Sequence, residues 1–220
     1  MREAHHSPDR SAFGETCQGS LKSNMESTHS FITIVSGYPR SGTSLMMQML
    51  EAGGLSVLRD EKFHPADERN PRGYYEIEAA MKLGAEGQTT DSITGAQGKA
   101  VKVIAYQLRF LPPEFNYRVV FMRRRIAEVL ASSGEFRLLR EDSPLSEREK
   151  ILAYKTEYVV YEAWLMKQPH LPAIFISYND LIASPAAPVT RIREFLGLPL
   201  DADKMVAAID PALYRNRTEG

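Results

Sequence analysis

The segment that most constrains the fold is FITIVSGYPRSGTSLMMQML, which runs from Phe31 to Leu50. Its opening residues, FITIVS, form a short β-branched and apolar run, which is typical of a buried strand. A polar, glycine-containing stretch follows, and the apolar residues of SLMMQMLEAGG then recur at helical spacing until Gly53 and Gly54 can end the helix. The segment therefore predicts a strand, a tight turn and a helix in direct succession.

Short apolar runs alternate with helical sequence along the rest of the chain. The runs KAVKVIA, YRVVFM and AIFIS predict further buried strands. Helices are expected at IAEVLASS, over about Ser146 to Lys167, and at SPAAPVTRIREFLG, where Gly197 ends the helix. Strands that alternate with helices favour a parallel sheet covered on both faces. We therefore expect one α/β domain over residues 31–220, preceded by a disordered tail at residues 1–30.

Composition and charge exclude several classes of protein. The net charge of -1 gives no global reason to expect nucleic acid or an anionic membrane as a partner. No apolar run approaches the roughly 20 residues that span a bilayer, and the first 30 residues lack the apolar centre of a secretory signal. The single cysteine, Cys17, excludes an intrachain disulfide and a cysteine-rich zinc site, and it fits a cytoplasmic location. Any anion site must therefore be built locally.

The turn after the first strand matches the phosphate-binding pattern G-x-x-x-x-G-K-[ST] except at its lysine. In GYPRSGTS, Thr43 replaces that lysine and Arg40 lies three residues earlier. Gly42 permits a close approach, and the N–H groups that begin the next helix point at an anion. The hydroxyl groups of Ser41, Thr43 and Ser44 add further donors. The alternative is an ordinary turn with a solvent-exposed Arg40.

The altered cation indicates what kind of phosphate ligand this loop accepts. A triphosphate is usually held with Mg²⁺ and the loop lysine, and no convincing aspartate stands at the end of a strand to hold Mg²⁺. A ligand with one phosphate at this point and a single transferable group fits Arg40 and backbone donors better.

Three segments together resemble the sulfotransferase family, whose members use 3′-phosphoadenosine 5′-phosphosulfate (PAPS). YPRSGTSLM resembles the 5′-phosphosulfate loop, in the arginine version found in tyrosylprotein and some bacterial carbohydrate sulfotransferases. RVVFMRRRIAEVLASS resembles the 3′-phosphate segment, with Arg124 and Ser132 at its motif positions. IFISYNDLIASPAAPVTRIREFLGLP is similar to a third family segment and implies that Tyr178 lies near the adenine. These segments run in family order from about Phe31 to Pro199.

The residues of RVVFMRRRIAEVLASS indicate an anion site even without the resemblance. Three arginines end a predicted strand and open a helix, where the helix dipole favours a nearby anion. The alternative is a solvated basic cluster.

The resemblance implies a P-loop-NTPase-like three-layer fold with a central parallel sheet. It also implies metal-independent, in-line transfer of a sulfuryl group from PAPS to a hydroxyl or amine, which leaves 3′-phosphoadenosine 5′-phosphate (PAP). Arg40 is expected to neutralise the leaving 5′-phosphate, with Lys102 as a second cation and with Thr43 and Ser44 completing the cradle.

The chain departs from the cytosolic members of this family in two places. The glycine-rich R-K-G-x-x-G segment is absent, and Arg215 and Arg217 of YRNR are expected to supply late positive charge instead. The histidine that cytosolic members use as base is also missing, since Ile104 and Ala105 occupy that region.

The general base is therefore assigned by resemblance to another branch of the family. Tyrosylprotein and trehalose-type bacterial enzymes carry a glutamate downstream of the loop arginine, and the matching residue is Glu61. The aromatic pair Tyr74 and Tyr75 either lines an acceptor pocket or packs in the core. The charged loop LRDEKFHPADERNPRGYYE, which contains Glu61, also holds the rival bases Asp60, Asp67, Glu68, Glu76 and His64.

Three functions stay open at this stage. The first is a sulfotransferase acting on a small-molecule, carbohydrate or peptide acceptor. The second is a catalytically inactive nucleotide-binding homologue, and the third is a P-loop nucleotide kinase, which the displaced lysine disfavours. The identity of the acceptor and the oligomeric state have no signature in the sequence.

Overall fold

The structure is a computed structural model, and it describes residues 31–60, 62–67, 70–85, 93, 95–133, 146–210 and 212. In these residues, four strands form one parallel sheet in the order β2-β1-β3-β4. Their bounds are Phe31–Gly37 for β1, Ala100–Lys102 for β2, Asn116–Arg123 for β3 and Ala173–Ser177 for β4. The expected α/β class with a central parallel sheet is confirmed.

Helices follow or connect the strands. Their bounds are Thr43–Ala52 for α1, Glu78–Met81 for α2, Ile126–Ser133 for α3, Glu147–Leu165 for α4, Tyr178–Ala183 for α5, Ala186–Leu196 for α6 and Ala202–Ala207 for α7, with a 3₁₀ helix at Ala105–Phe110. None of these helices is long and apolar enough to cross a membrane.

The sheet separates two apolar clusters, because alternate residues of a strand point to opposite faces. Ile34 of β1 and Phe121 of β3 belong to one cluster, which the 3₁₀ helix and α2, α3 and α4 cover. Val35 and Met122, the next residues along these strands, belong to the other cluster, which α1, α5, α6 and α7 cover. The described elements therefore form three layers.

Local sequence signals set two of the helix ends. Ser146 caps α4 through a reciprocal capping box with Glu149, in which each residue's side chain accepts the other's backbone N–H. The predicted helix over about Ser146 to Lys167 is thus confirmed, with α4 ending at Leu165. Gly197 ends α6 in a left-handed conformation, φ 61°, as predicted.

The KAVKVIA run predicts one continuous strand, but the strand in the structure is shorter. Only Ala100–Lys102 is a strand, and the chain turns into the 3₁₀ helix after Ile104. β2 pairs with β1 on one side, where Val35 faces Lys102 as the last paired residues. Because the ladder stops there, Lys102 lies at the very end of β2.

Candidate active site

All four strands end at the same edge of the sheet. Gly37 of β1 pairs with Met122, next to the final residue of β3, while Lys102 and Ser177 are the last residues of β2 and β4. Ligands of open parallel α/β sheets bind beyond the carboxyl ends of the strands. The register therefore brings the β1–α1 loop, Lys102, the three arginines and Tyr178 to one edge.

The β1–α1 loop is shaped by close contacts at its glycines. Gly42 has φ 99°, and a Cβ there would lie 2.3 Å from Cδ2 of Tyr178. Gly37 is equally constrained, since a Cβ would lie 2.5 Å from Oγ of Ser41. Arg40 has φ 69°, a left-handed conformation that is uncommon for residues other than glycine. The loop is thus tightly folded against Tyr178.

The hydroxyl of Ser41 meets the requirement for an anion donor. Ser41 is fully buried, and within the described part of the chain its Oγ has no hydrogen-bond partner. Buried hydroxyl groups are nearly always hydrogen-bonded. The loop also precedes α1, whose first N–H groups have no partner within the helix. A phosphate group held in this loop would satisfy both sets of donors.

The structure brings the loop arginine and the second arginine motif into contact. Arg40 donates a hydrogen bond from Nε to Oγ of Ser132, over 2.9 Å. Arg124 donates to the backbone carbonyl of Arg40, over 3.2 Å. The guanidinium of Arg124 also lies 4.6 Å above the ring of Tyr178. The residues predicted for the 5′-phosphate, the 3′-phosphate and the adenine therefore form one cluster.

A buried glutamate that the sequence analysis did not identify orients Arg124. Nε of Arg124 donates to Oε2 of Glu128 over 2.9 Å, and their side chains are 8% and 0% exposed. Glu128 also accepts a hydrogen bond from Asn179 at the start of α5, over 2.9 Å. The spacing of four residues between Arg124 and Glu128 is the sequence signal that could have indicated this pair.

The three consecutive arginines have different environments. Arg123 makes a bidentate ion pair with Glu162 of α4, with both N–O distances at 2.6 Å, and it stacks on Phe175. Arg125 is half exposed and lies 4.0 Å from Glu128. Arg124 contacts the β1–α1 loop through the carbonyl of Arg40, so the three arginines are not a uniformly solvated basic cluster.

Lys102 is held inside the same site by three oxygen atoms. Its Nζ donates to Oε1 of Glu76 over 3.0 Å, to the carbonyl of Tyr74 over 2.9 Å and to Oγ of Ser44 over 3.2 Å. Burial lowers the pKa of Lys102, Glu76 opposes that shift, and the positive charge of Arg40 adds to it. Because Ser44 and Arg40 belong to the same phosphate-binding segment, Lys102 and Arg40 belong to one site.

Glu76 connects Lys102 to a histidine. Oε2 of Glu76 lies 2.5 Å from Nδ1 of His64. Burial would raise the pKa of Glu76, but Lys102 and His64 outweigh it and hold that pKa below its usual value. The ring of His64 stacks on Tyr74 at 3.8 Å, and the hydroxyl of Tyr74 donates to the carboxylate of Asp67. Three of the rival bases thus belong to one network.

Other candidates have structural contacts or fall outside the described residues. The carboxylate of Asp60 accepts the backbone N–H groups of Lys62 and Phe63, as a turn-capping residue does. Tyr75 is buried and donates to Glu51, and burial with this bond raises its pKa to about 12, which favours the packing role. The candidates that lie outside the described residues are Glu61, Glu68, Arg215 and Arg217.

Across the described ranges, no three side chains of the metal-binding types gather as ligands.

The chain is similar to one family of proteins and to several solved structures. A family model described as "Sulfotransferase domain" matches residues 32–216. A mouse sulfotransferase complexed with PAP has 14% identity and a TM-score of 0.49, over 82% of this chain and 63% of that one. The chain thus covers 63% of the length of the mouse protein.

Two further solved structures have comparable similarity. The sulfotransferase domain from the curacin biosynthetic pathway has 16% identity and a TM-score of 0.48, over 82% of this chain and 78% of that domain. A sulfotransferase from Mycobacterium tuberculosis has 13% identity and a TM-score of 0.45, over 82% and 71%. No curated protein sequence matches the chain. Since the family model matches most of its length, the chain belongs to the sulfotransferase domain family.

Proposed function

We propose that this protein transfers a sulfuryl group from PAPS to a hydroxyl or amine acceptor by metal-independent, in-line displacement. The observation that carries the proposal is the contact between the two anion-binding motifs, in which Arg40 bonds to Ser132 and Arg124 bonds to the backbone of Arg40. The unsatisfied hydroxyl of Ser41 beside them supports a bound phosphate. We also propose that the protein is cytoplasmic and that its acceptor is a small molecule, a carbohydrate or a peptide.

The donor site consists of residues from both motifs. The 5′-phosphosulfate binds to the loop residues, the 3′-phosphate binds to Arg124 and Ser132, and Tyr178 lies by the adenine. PAPS supplies an activated sulfuryl group with a phosphate as leaving group. Arg215 and Arg217 complete the predicted donor site. The loop residues of this site are Arg40, Ser41, Gly42, Thr43 and Ser44.

The charges of the chain favour departure of the phosphate. Sulfuryl transfer resembles phosphoryl transfer, in which catalysis consists mainly of positioning and electrostatic stabilisation. Arg40 and Lys102 are cations at one site, and partial burial strengthens their interaction with a developing negative charge. The resemblance implies Glu61 as the base for the proton of the acceptor.

A comparison of ligands by thermal denaturation tests the proposal. PAP should raise the melting temperature by mass action, with about 2.7 kcal/mol of stabilisation at a concentration 100 times its Kd. ATP with Mg²⁺ should give no comparable shift. Stabilisation by ATP with Mg²⁺ and not by PAP would instead support the kinase.

Transfer of label from ³⁵S-PAPS to an acceptor then separates an enzyme from an inactive homologue. An active sulfotransferase yields a labelled acceptor, whereas an inactive homologue binds PAP and transfers nothing.

A further inference from the structure

A histidine–glutamate pair stands directly behind Lys102. Glu76 binds Nζ of Lys102 through one carboxylate oxygen at 3.0 Å and Nδ1 of His64 through the other at 2.5 Å. The three side chains therefore form a continuous line, Lys102–Glu76–His64, that begins at the cation of the donor site and ends at an imidazole.

Two contacts fix the orientation of the imidazole. The ring of His64 is parallel to that of Tyr74, with an interplanar angle of 7° and 3.8 Å between centroids. The hydroxyl of Tyr74 is itself fixed by both carboxylate oxygens of Asp67, at 2.9 and 2.8 Å. Stacking sets the plane of the His64 ring and the bond to Glu76 sets its rotation, so Nε2 points away from Glu76.

The electrostatic environment assigns different protonation roles to the two groups. Burial would raise the pKa of Glu76, but Lys102 and His64 hold it below its usual value. Glu76 thus stays ionised near neutral pH and is a weak proton acceptor. An ionised carboxylate at Nδ1 keeps the proton of a neutral imidazole on that nitrogen and leaves Nε2 as the acceptor. The same carboxylate stabilises the imidazolium that forms when Nε2 takes a proton.

Exposure decides which group an acceptor molecule can reach. The side chain of His64 is 42% exposed, whereas that of Glu76 is 12% exposed and that of Lys102 is 7% exposed. The groups that face His64 are the carboxylate of Glu76 and the ring of Tyr74, while its backbone N–H bonds to the carbonyl of Asp60.

We propose that Nε2 of His64, oriented by Glu76, accepts the proton of the acceptor during sulfuryl transfer. As the acceptor oxygen or nitrogen bonds to sulfur, the bond from sulfur to the bridging oxygen breaks and its electron pair leaves with the 5′-phosphate of PAP. The proton moves to Nε2 and then to solvent. This inference rests on the proposed function and competes with Glu61 for the role of base.

Substitution of His64 separates this role from donor binding. His64→Asn should leave the affinity for PAP within about threefold of wild type, because neither phosphate motif is altered. Turnover of ³⁵S-PAPS with 2-naphthol, or with water as acceptor, should fall at least about 100-fold. Added imidazole should restore part of that activity. Such a rescue is not expected if His64 has only a structural role. His170→Asn, an exposed histidine just before β4, is the matched control and should behave as wild type.

A second measurement needs no acceptor. In protein labelled with ¹⁵N-histidine, the signals of His64 are assigned as those that His64→Asn removes. In the neutral form of the ring, reached by raising the pH, they should show a proton on Nδ1 and none on Nε2, and Glu76→Gln should abolish that preference.

The possible outcomes distinguish the two proposals. A neutral His64 ring with its proton on Nε2, or His64→Asn with wild-type turnover while Glu61→Gln is inactive, would overturn the assignment of His64. A wild-type chain that does not bind PAP would overturn the sulfotransferase proposal instead, and the ¹⁵N signals would still report on the His64–Glu76 pair.

Discussion

At Gly42, the chain leaves no space for a side chain between the loop and Tyr178. We expect Gly42→Ala to lower the free energy of unfolding by about 2 to 5 kcal/mol, since the left-handed backbone costs about 1–2 kcal/mol and the clash at 2.3 Å adds about 1–3 kcal/mol. Because Tyr178 or the loop must move, PAP binding should weaken as well. Urea unfolding and calorimetry with PAP measure the two effects.

Gly54 provides the matched control for that prediction. It has a similar φ of 102°, but a Cβ there would meet nothing within 4 Å. Gly54→Ala should therefore show the cost of backbone strain alone and leave PAP binding intact. Equal stability and equal PAP affinity in the two variants would show that the contact between Gly42 and Tyr178 has no influence on the site.

Glu76 gives a prediction about pH at the same scale. Its pKa in the folded chain is below the usual 4.5, so its ionised form contributes stability above that pH, and the contribution is lost as pH falls through the folded pKa. Glu76→Gln also leaves Lys102 buried without its partner, so it should cost about 3 kcal/mol at pH 7. Urea unfolding from pH 7 down to pH 3 should show this difference shrinking below about pH 4.5.

The exposed ion pair between Glu78 and Lys82 is the control for Glu76. Their side chains are 54% and 55% exposed, and such pairs contribute about 0–1 kcal/mol. Glu78→Gln should therefore change stability little at pH 7. A loss from Glu76→Gln no larger than that from Glu78→Gln would contradict the buried pair of Lys102 and Glu76.

Among the elements, the junction of β3 with α3 carries the second phosphate motif. Arg124→Ala should weaken PAP binding about tenfold or more, since a hydrogen bond to a charged group contributes about 1.5–3 kcal/mol. Arg125→Ala is the control, because Arg125 is adjacent in sequence but half exposed. Calorimetry should show a small change for Arg125→Ala, and an equal loss in both variants would indicate a general effect of positive charge.

The same elements show how far the sequence predicts this structure. The apolar runs of β1, β3 and β4 and the periodicity of α1 and α6 are strong local signals, and these elements lie where the pattern predicts them. The 3₁₀ helix, α2, α5 and α7 are short, and the sequence pattern does not predict them. The loop residues were predicted because glycine, hydroxyl and arginine occur together in one short segment. The pairs of Lys102 with Glu76 and of Arg40 with Ser132 depend on strand order and register, which no local pattern encodes.

At the scale of the whole molecule, the parallel register brings two motifs together. They meet where Arg124 contacts Arg40, two residues that lie 84 positions apart in the chain. Residues in contact within one network have non-additive effects, with interaction energies of about 0.5–3 kcal/mol. In a double-mutant cycle, Arg40→Ala and Arg124→Ala should each weaken PAP binding, and the double variant should lose less than the sum. Calorimetry of the four proteins measures this coupling.

A cycle with an arginine outside both motifs shows whether that coupling is specific. Arg191 lies on α6, is exposed and donates to the carbonyl of Phe175. Arg40→Ala combined with Arg191→Ala should be additive to within about 0.5 kcal/mol. If Arg40 and Arg124 are as additive as Arg40 and Arg191, the two motifs bind independently, and one donor molecule cannot be what joins them. If only the Arg40–Arg124 cycle shows coupling, one molecule of PAP binds to both arginines, and the common edge of the sheet is a single binding site.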